Sequence, residues 1–429
     1  MTSLTTQAAM TTSQMPAATQ RQELRLTVVF HPNQSRVGAH ATLSVRKVNE
    51  PYPIKALMLG RYHPIFSDNE AINDNTVNRQ AITFNDTPDG LCISAAKADA
   101  RVKIGPNRSN TVCLSTRELS DGVAIQLGNA VVLLLREVSL FERNNLEGIT
   151  ASLYPGCAPE TVRLRHLIAA IAATDRPVLL LGETGTGKRT AARAIHEVSP
   201  RQSCTFEVVN VAGLDPMLAA LELFGAYDET GQKLVRLGAF HRADRGTLLL
   251  EQIHDASPIV QILLMQAVTG EIQPIGGPAQ QLDVRIISSS RVAIANNSQF
   301  NGALAHRLAG FELHIAPLRN RKEDIGQKFY KAAQQIETQH PQHPIKAIAE
   351  NHAAARHWAT TVFALLSIPW LGNYRELENY VFTALNGYLD TSLTPTVTTL
   401  EHFREPARKP SIQNLEATSA PRHNVLPIK

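Results

Sequence analysis

The chain has 429 residues, 43% of them hydrophobic, with a formal charge of +4 and a pI near 8.9. That length exceeds one ordinary hydrophobic core, so about two or three domains are expected. The mild, scattered basicity excludes an argument for nucleic-acid binding from charge, and no apolar run approaches the roughly 20 residues of a membrane span, so no membrane partner is expected.

Residues 1–22 are rich in Thr, Gln, Ala and Ser, lack an apolar core of signal-peptide length, and read as a disordered N-terminus. From Glu23 to about Val138 the texture is β. Leu24, Leu26, Val28 and Phe30 alternate with Arg25, Thr27 and Val29. Short alternating segments recur at Leu43–Val45, Ile54–Leu59, Ala81–Phe84, Val102–Ile104, Val112–Leu114 and Val123–Leu127. Polar turns separate them, which predicts an antiparallel β-sandwich over residues 23–140. The four cysteines, Cys92, Cys113, Cys157 and Cys204, have no CxxC pairing. They read as reduced, packed thiols of a cytoplasmic protein, with no zinc site.

From Ile149 the texture changes to alternating helix and strand. Val162, Leu164, Leu167, Ile168 and Ile171 form a helical stripe, and Pro177–Leu181 is a buried strand. It runs into Gly182-Glu183-Thr184-Gly185-Thr186-Gly187-Lys188-Arg189-Thr190, after which Ala191–Ile195 opens a helix. The glycines let backbone N–H groups turn toward a phosphate chain, the helix N-terminus adds its dipole, and Lys188 can reach the outer phosphates. An ordinary glycine turn is the alternative. Arg189 stands where the usual pattern has the Ser or Thr that holds magnesium, ahead of Thr190. Val208–Val209, Thr247–Leu250 and Val284–Ile287 are further strands, giving an α/β P-loop domain over residues 150–318.

Beyond Pro317 the pattern is helical, a small α-helical lid over residues 319–388. The tail, 389–429, carries Pro395, Pro406, Pro410, Pro421 and Pro427 among polar residues and reads as disordered. His340 and His343 lack nearby carboxylate or thiol partners and read as solvated.

This order of motifs resembles the AAA+ domain of bacterial enhancer-binding proteins, the activators of sigma-54 RNA polymerase, over roughly residues 150–385. Beside the glycine loop the resemblance rests on Glu222-Leu223-Phe224-Gly225, Gly246-Thr247-Leu248-Leu249-Leu250, Pro317-Leu318-Arg319-Asn320-Arg321 and Trp370-Leu371-Gly372-Asn373-Tyr374-Arg375. It implies ATP and Mg2+ as cofactors, self-assembly or assembly with another AAA+ activator, and contact with a sigma factor or RNA polymerase. In such enzymes a strand ends in Asp-Glu, the aspartate orienting magnesium and the glutamate positioning or deprotonating the attacking water. This chain has Glu251-Gln252 there. Glu251 keeps a charge for the metal, but Gln252 has no basic oxygen at neutral pH, so slow or absent hydrolysis is expected unless another group positions the water.

The resemblance also assigns Asn210 to the asparagine that faces the base, Arg307 to an arginine reaching the neighbouring subunit's site, and Arg375 to the lid sensor. The second reaching arginine is replaced by Asn301, and the strand sensor by Arg291. After Gly225 the loop that touches the sigma factor is shorter, reading Ala226-Tyr227-Asp228-Glu229-Thr230-Gly231-Gln232. No helix-turn-helix follows the lid, so direct DNA binding is not expected.

Leu59-Gly60-Arg61, Val77-Asn78-Arg79-Gln80 and Leu119–Gly128 resemble a forkhead-associated domain. That implies a phosphothreonine reader with Arg61, Asn78 and Arg79 at the phosphate of a phosphoprotein partner, although Asn78 and Gln80 replace the family's serine and histidine. The expected fold is therefore multidomain, a forkhead-associated-like β-sandwich followed by an α/β P-loop AAA+ domain and its helical lid. Three functions fit: an ATP-binding regulator with little turnover, a working ATPase that remodels a transcription complex, or a phosphopeptide-binding adaptor with a scaffold AAA+ part.

Overall fold

The computed structural model of the chain describes residues 21–47, 57–87, 90–95, 101–105, 111–139, 147–339 and 352–389. The expectations for residues 1–20, for His340 and His343 and for 390–429 lie outside them. Nine strands form the N-terminal region: β1 (Arg21–Phe30), β2 (His40–Lys47), β3 (Leu57–Leu59), β4 (Ile82–Thr87), β5 (Gly90–Ala95), β6 (Lys103–Ile104), β7 (Thr111–Leu114), β8 (Val123–Leu127) and β9 (Val131–Ser139). They pair antiparallel into two sheets, ordered β2-β1-β9-β8-β6 and β3-β4-β5-β7, around one apolar core that includes Leu24, Leu26, Phe84, Ile93, Leu133 and Leu135.

Two expectations are corrected here. Phe30 does not share a face with Leu24, Leu26 and Val28, because the register shifts between Val28 and Phe30 and turns Phe30 to the opposite side. Cys92 and Cys113 are not both reduced thiols: they lie opposite each other across β5 and β7 and form a cross-strand disulfide. Cys157 and Cys204 are free.

Helices α1 (Thr116–Asp121), α2 (Glu147–Leu153) and α3 (Pro159–Ala172) lead into a second sheet system. Strands β10 (Val178–Leu181), β11 (Phe206–Asn210), β14 (Thr247–Glu251), β17 (Arg285–Ser290) and β18 (Phe311–His314) form a parallel sheet ordered β11-β14-β17-β10-β18. Around it lie α4 (Lys188–Glu197), α5 (Ala219–Phe224), α6 (Ala239–Arg242), α7 (Pro258–Ala267) and α8 (Gly302–Leu308). Two hairpins complete this layer, β12 (Gly225–Tyr227) with β13 (Leu234–Leu237) and β15 (Glu271–Ile272) with β16 (Gln280–Gln281). The central strands are buried along their length, which is why they read as unbroken apolar runs.

Helices α9 (Asp324–Gln339), α10 (His352–Leu365) and α11 (Asn373–Leu389) follow. Their apolar faces do not close on themselves alone. Val29, Phe30, Val37, Val132 and Leu134 of the N-terminal region join Ile325, Phe329, Trp358, Trp370 and Leu377 in one core. Strands β1 and β9 are thus buried on both faces. Gly326 lets α9 come close enough that a Cβ there would stand 1.8 Å from the Val29 carbonyl oxygen. Tyr330 donates to His31 O at 2.8 Å and its ring stacks on Phe30 with centroids 5.5 Å apart. Polar contacts reinforce the seam, since Arg136 on β9 pairs with Glu160 at 2.7 Å and Glu323 at 3.2 Å.

Candidate nucleotide site

In a parallel sheet the functional loops gather at the carboxyl ends of the strands. Here β10 ends beside β17, with Leu181 opposite Ser290, and β11 ends beside β14, with Asn210 opposite Glu251. The glycine loop, Glu251, Gln252 and Arg291 therefore come to one edge, around a cleft of about 500 Å3. Thr184, Gly185, Gly187, Lys188, Arg189 and Thr190 line it from the loop side, and Tyr374, Arg375 and Lys328 from the lid side.

The loop is built to hold its shape. Gly187 caps α4 in the left-handed region at φ 95°, so the helix begins at Lys188 with its first N–H groups turned to the cleft. Lys188 Nζ donates to Gly182 O at 2.7 Å and Glu183 O at 2.8 Å. Burial, and next the charge of Arg291, lower the pKa of this ammonium, while Glu251 and Glu183 act to raise it. Thr186 is fully buried and its hydroxyl donates to Glu183 O at 2.8 Å.

The lid is tied to the loop. Tyr374 N donates to Gly185 O at 3.0 Å, and a Cβ on Gly185 would meet Gly372 O at 2.1 Å. Arg319 holds the Glu183 carboxylate through two bonds of 2.8 and 2.6 Å, which with Asn373 lower the pKa of Glu183. Asn373 Nδ2 donates to Glu183 Oε2 at 3.1 Å and to Thr184 O at 3.0 Å, and its Oδ1 accepts from Leu318 N at 2.7 Å. Arg321, buried, donates to Thr186 O at 2.7 Å and to the Tyr154 hydroxyl at 3.1 Å, with the Tyr374 ring 4.7 Å from its Cζ. The sequence showed Arg319, Arg321 and Asn373 only as landmarks of a motif; their bonds to the loop span 135 to 190 residues and leave no local signal.

Gln252 lines the cleft in the left-handed region, φ 57° and ψ 42°, an uncommon conformation for a side chain other than glycine and one concentrated at functional sites. Asn210 is exposed and caps the following turn by accepting from Ala212 N at 3.2 Å, so its side chain is committed to its own loop. Arg291 donates to His254 Nε2 at 2.9 Å and to Asp255 at 3.3 Å. Burial lowers the pKa of His254, which keeps that ring neutral and able to accept. Arg307 sits on α8 with an exposed side chain outside this cleft, and Asn301 caps the same helix through Leu304 N at 3.0 Å. Arg375 lines the cleft from the first turn of α11.

The donor set does not fit a magnesium ion held in the usual way. The residue after Lys188 has no hydroxyl, and the Arg189 guanidinium occupies both Glu251 carboxylate oxygens, at 2.9 and 2.5 Å. Among the described residues no group of three His, Cys, Asp or Glu stands ready to hold a metal.

In the N-terminal region Arg61, Asn78 and Arg79 meet at one loop end. Arg61 donates to Val77 O at 3.0 Å and Asn75 O at 2.5 Å, so it braces the loop, while Asn78 and Arg79 are exposed. Arg101 donates to Asn78 Oδ1 at 3.4 Å.

A parallel sheet with a glycine loop at the end of β10, one of its inner strands, a basic cleft and a helical lid defines an AAA+ type P-loop module. Residues 155–314 match the family model of the Sigma-54 interaction domain, so the chain carries that domain. It is 34% identical over 229 residues to the hydrogenase transcriptional regulatory protein HoxA of Cupriavidus necator, covering 51% of this chain and 45% of that one. To the anaerobic nitric oxide reductase transcription regulator NorR of Citrobacter koseri it is 33% identical over 285 residues, covering 63% and 54%. A crystal structure of NtrX from Brucella abortus aligns at 26% identity and a TM-score of 0.46, over 55% of this chain and 53% of that one. The chain spans about half the length of the curated relatives it matches. Among the described residues no helix is long and apolar enough to cross a membrane.

Proposed function

We propose that the protein is a nucleotide-binding regulator of the sigma-54 activator type, which binds ATP, turns it over slowly or not at all, and acts through protein partners in transcription control. The observation that carries this reading is the pairing of an intact loop, with Lys188 aimed along it, and Gln252 at the position of the catalytic base. An amide cannot take the proton of an attacking water, whereas loop, helix N-terminus and lysine remain able to hold phosphates. The exposed Arg307 fits a role toward a second copy or another AAA+ activator, and the shortened Ala226–Gln232 turn, closed by Asp228 on Thr230, Gln232 and Lys233, argues against the usual contact with the sigma factor. Gln252→Glu restores a base and is expected to raise ATP turnover by at least about tenfold, within the range that general bases supply. Steady-state phosphate release checks it, and unchanged turnover would place the defect elsewhere in the site.

The cluster of Arg61, Arg79 and Arg101 around Asn78 favours a second, compatible reading, capture of a phosphorylated segment of a partner by the N-terminal region. Because Arg61 is spent on loop carbonyls, Arg79 carries the contact. Arg79→Ala is expected to weaken binding of a phosphothreonine peptide array about tenfold or more. Equal binding of phosphorylated and unphosphorylated peptides by the unmodified chain would remove this reading.

A further inference from the structure

We propose that the cleft takes its nucleotide without a divalent cation, the Arg189 guanidinium standing in for the metal between the phosphates and Glu251; this rests on the nucleotide-binding reading above. Two independent observations carry it. First, Arg189 directly follows the loop lysine, and its Nε and Nη2 grip both oxygens of Glu251, the acidic group that ends β14. A carboxylate held in this bidentate fork has its charge compensated and about two of its four lone-pair sites used, which weakens its pull on a metal. A guanidinium has five N–H donors, and the grip on Glu251 uses one at Nε and one at Nη2, so Nη1 keeps donors for a phosphate oxygen.

Second, the cleft is strongly cationic without a metal. Lys188, Arg291, Lys328 and Arg375 line it together with Arg189, against Glu251 and Glu378 alone, a surplus of three positive charges. That surplus offsets most of the charge of a triphosphate, polyanionic at neutral pH. A divalent cation entering the same space would compete with Arg189 for Glu251 and would meet the other cations at close quarters. Arg189 is 64% exposed along its side chain, so its position reflects the pairing and not packing, and it can be replaced without opening the core.

The test is equilibrium titration of the full-length chain with a fluorescent ATP analogue, in EDTA and in magnesium, with Lys188→Ala as the blank. The dissociation constants are expected to agree within about threefold, and Arg189→Thr is expected to lose about tenfold or more in EDTA and to recover in magnesium, with Arg189→Lys intermediate. Magnesium tightening the unmodified chain by more than about tenfold would overturn the proposal and leave nucleotide binding standing. Undiminished binding by Arg189→Thr in EDTA would also overturn it. No binding in either buffer would overturn both this proposal and the reading on which it rests.

Discussion

Lys188→Ala is expected to weaken binding of a fluorescent ATP analogue at least about tenfold to 100-fold, from loss of roughly 1.5–3 kcal/mol per charge-assisted hydrogen bond. The lysine is held over the loop by Gly182 O and Glu183 O, within the cleft proposed for the nucleotide. Burial first, and then the charge of Arg291, lower its pKa, so an incoming anion would favour its charged form. The fold should survive the change, because the Glu183 bonds to Arg319 and Asn373 and the Tyr374 bond to Gly185 do not involve Lys188. Fluorescence titration checks the affinity, and circular dichroism checks that the chain stays folded. Unchanged affinity would remove the glycine loop as the phosphate site.

The second large effect concerns the seam between the N-terminal sheets and the lid. Arg136 sits between Glu160 and Glu323 and also donates to Ser120 O at 3.0 Å. Glu323 has a side chain only 1% exposed. Arg136→Met removes the cation, keeps much of the stem, and leaves the buried Glu323 carboxylate uncompensated beside the half-buried Glu160, so destabilisation by about 3–5 kcal/mol is expected. Burial, opposed by Arg136, already raises the pKa of Glu323. Without the arginine that pKa rises further, so the loss is full near neutral pH and shrinks as pH falls and Glu323 takes up a proton. Both tryptophans of the chain, Trp358 and Trp370, lie in the shared core and report the transition by fluorescence in a denaturant titration. A midpoint unchanged at neutral pH would mean that the two regions do not depend on this contact.

What was legible in the sequence was local. The run from Val178 through the glycine loop to Ile195 carries strand, turn and helix signals within a few residues of one another, and the structure builds those elements. The alternation at Leu24, Leu26 and Val28 gave β1, but a register shift turned Phe30 away, and such shifts leave no mark in an alternating pattern. The unbroken apolar run Val131–Leu135 held a signal that alternation alone does not read, because such a strand is buried on both faces, Leu133 toward the sheets and Val132 toward the lid. Strand β5, Gly90–Ala95, was also unread, its short run being flanked in sequence by Pro88-Asp89 and Ala96-Lys97. The pairing of Arg189 with Glu251, across 62 residues, needed the parallel sheet to bring two strand ends together. Gln252, at the position the resemblance assigns to the base, was plain in the sequence, while its left-handed backbone was not.

The most direct test of the account is steady-state ATP turnover by the full-length chain, measured beside analogue binding on the same samples, with Lys188→Ala as the blank. Binding that the variant loses, without turnover above the blank, is the expected result for a cleft that keeps its phosphate cradle and lacks its base. Turnover in the unmodified chain at about 1 s−1 or faster, the range of a working enzyme, that disappears in Lys188→Ala would contradict it, and would require another group to do what Gln252 cannot.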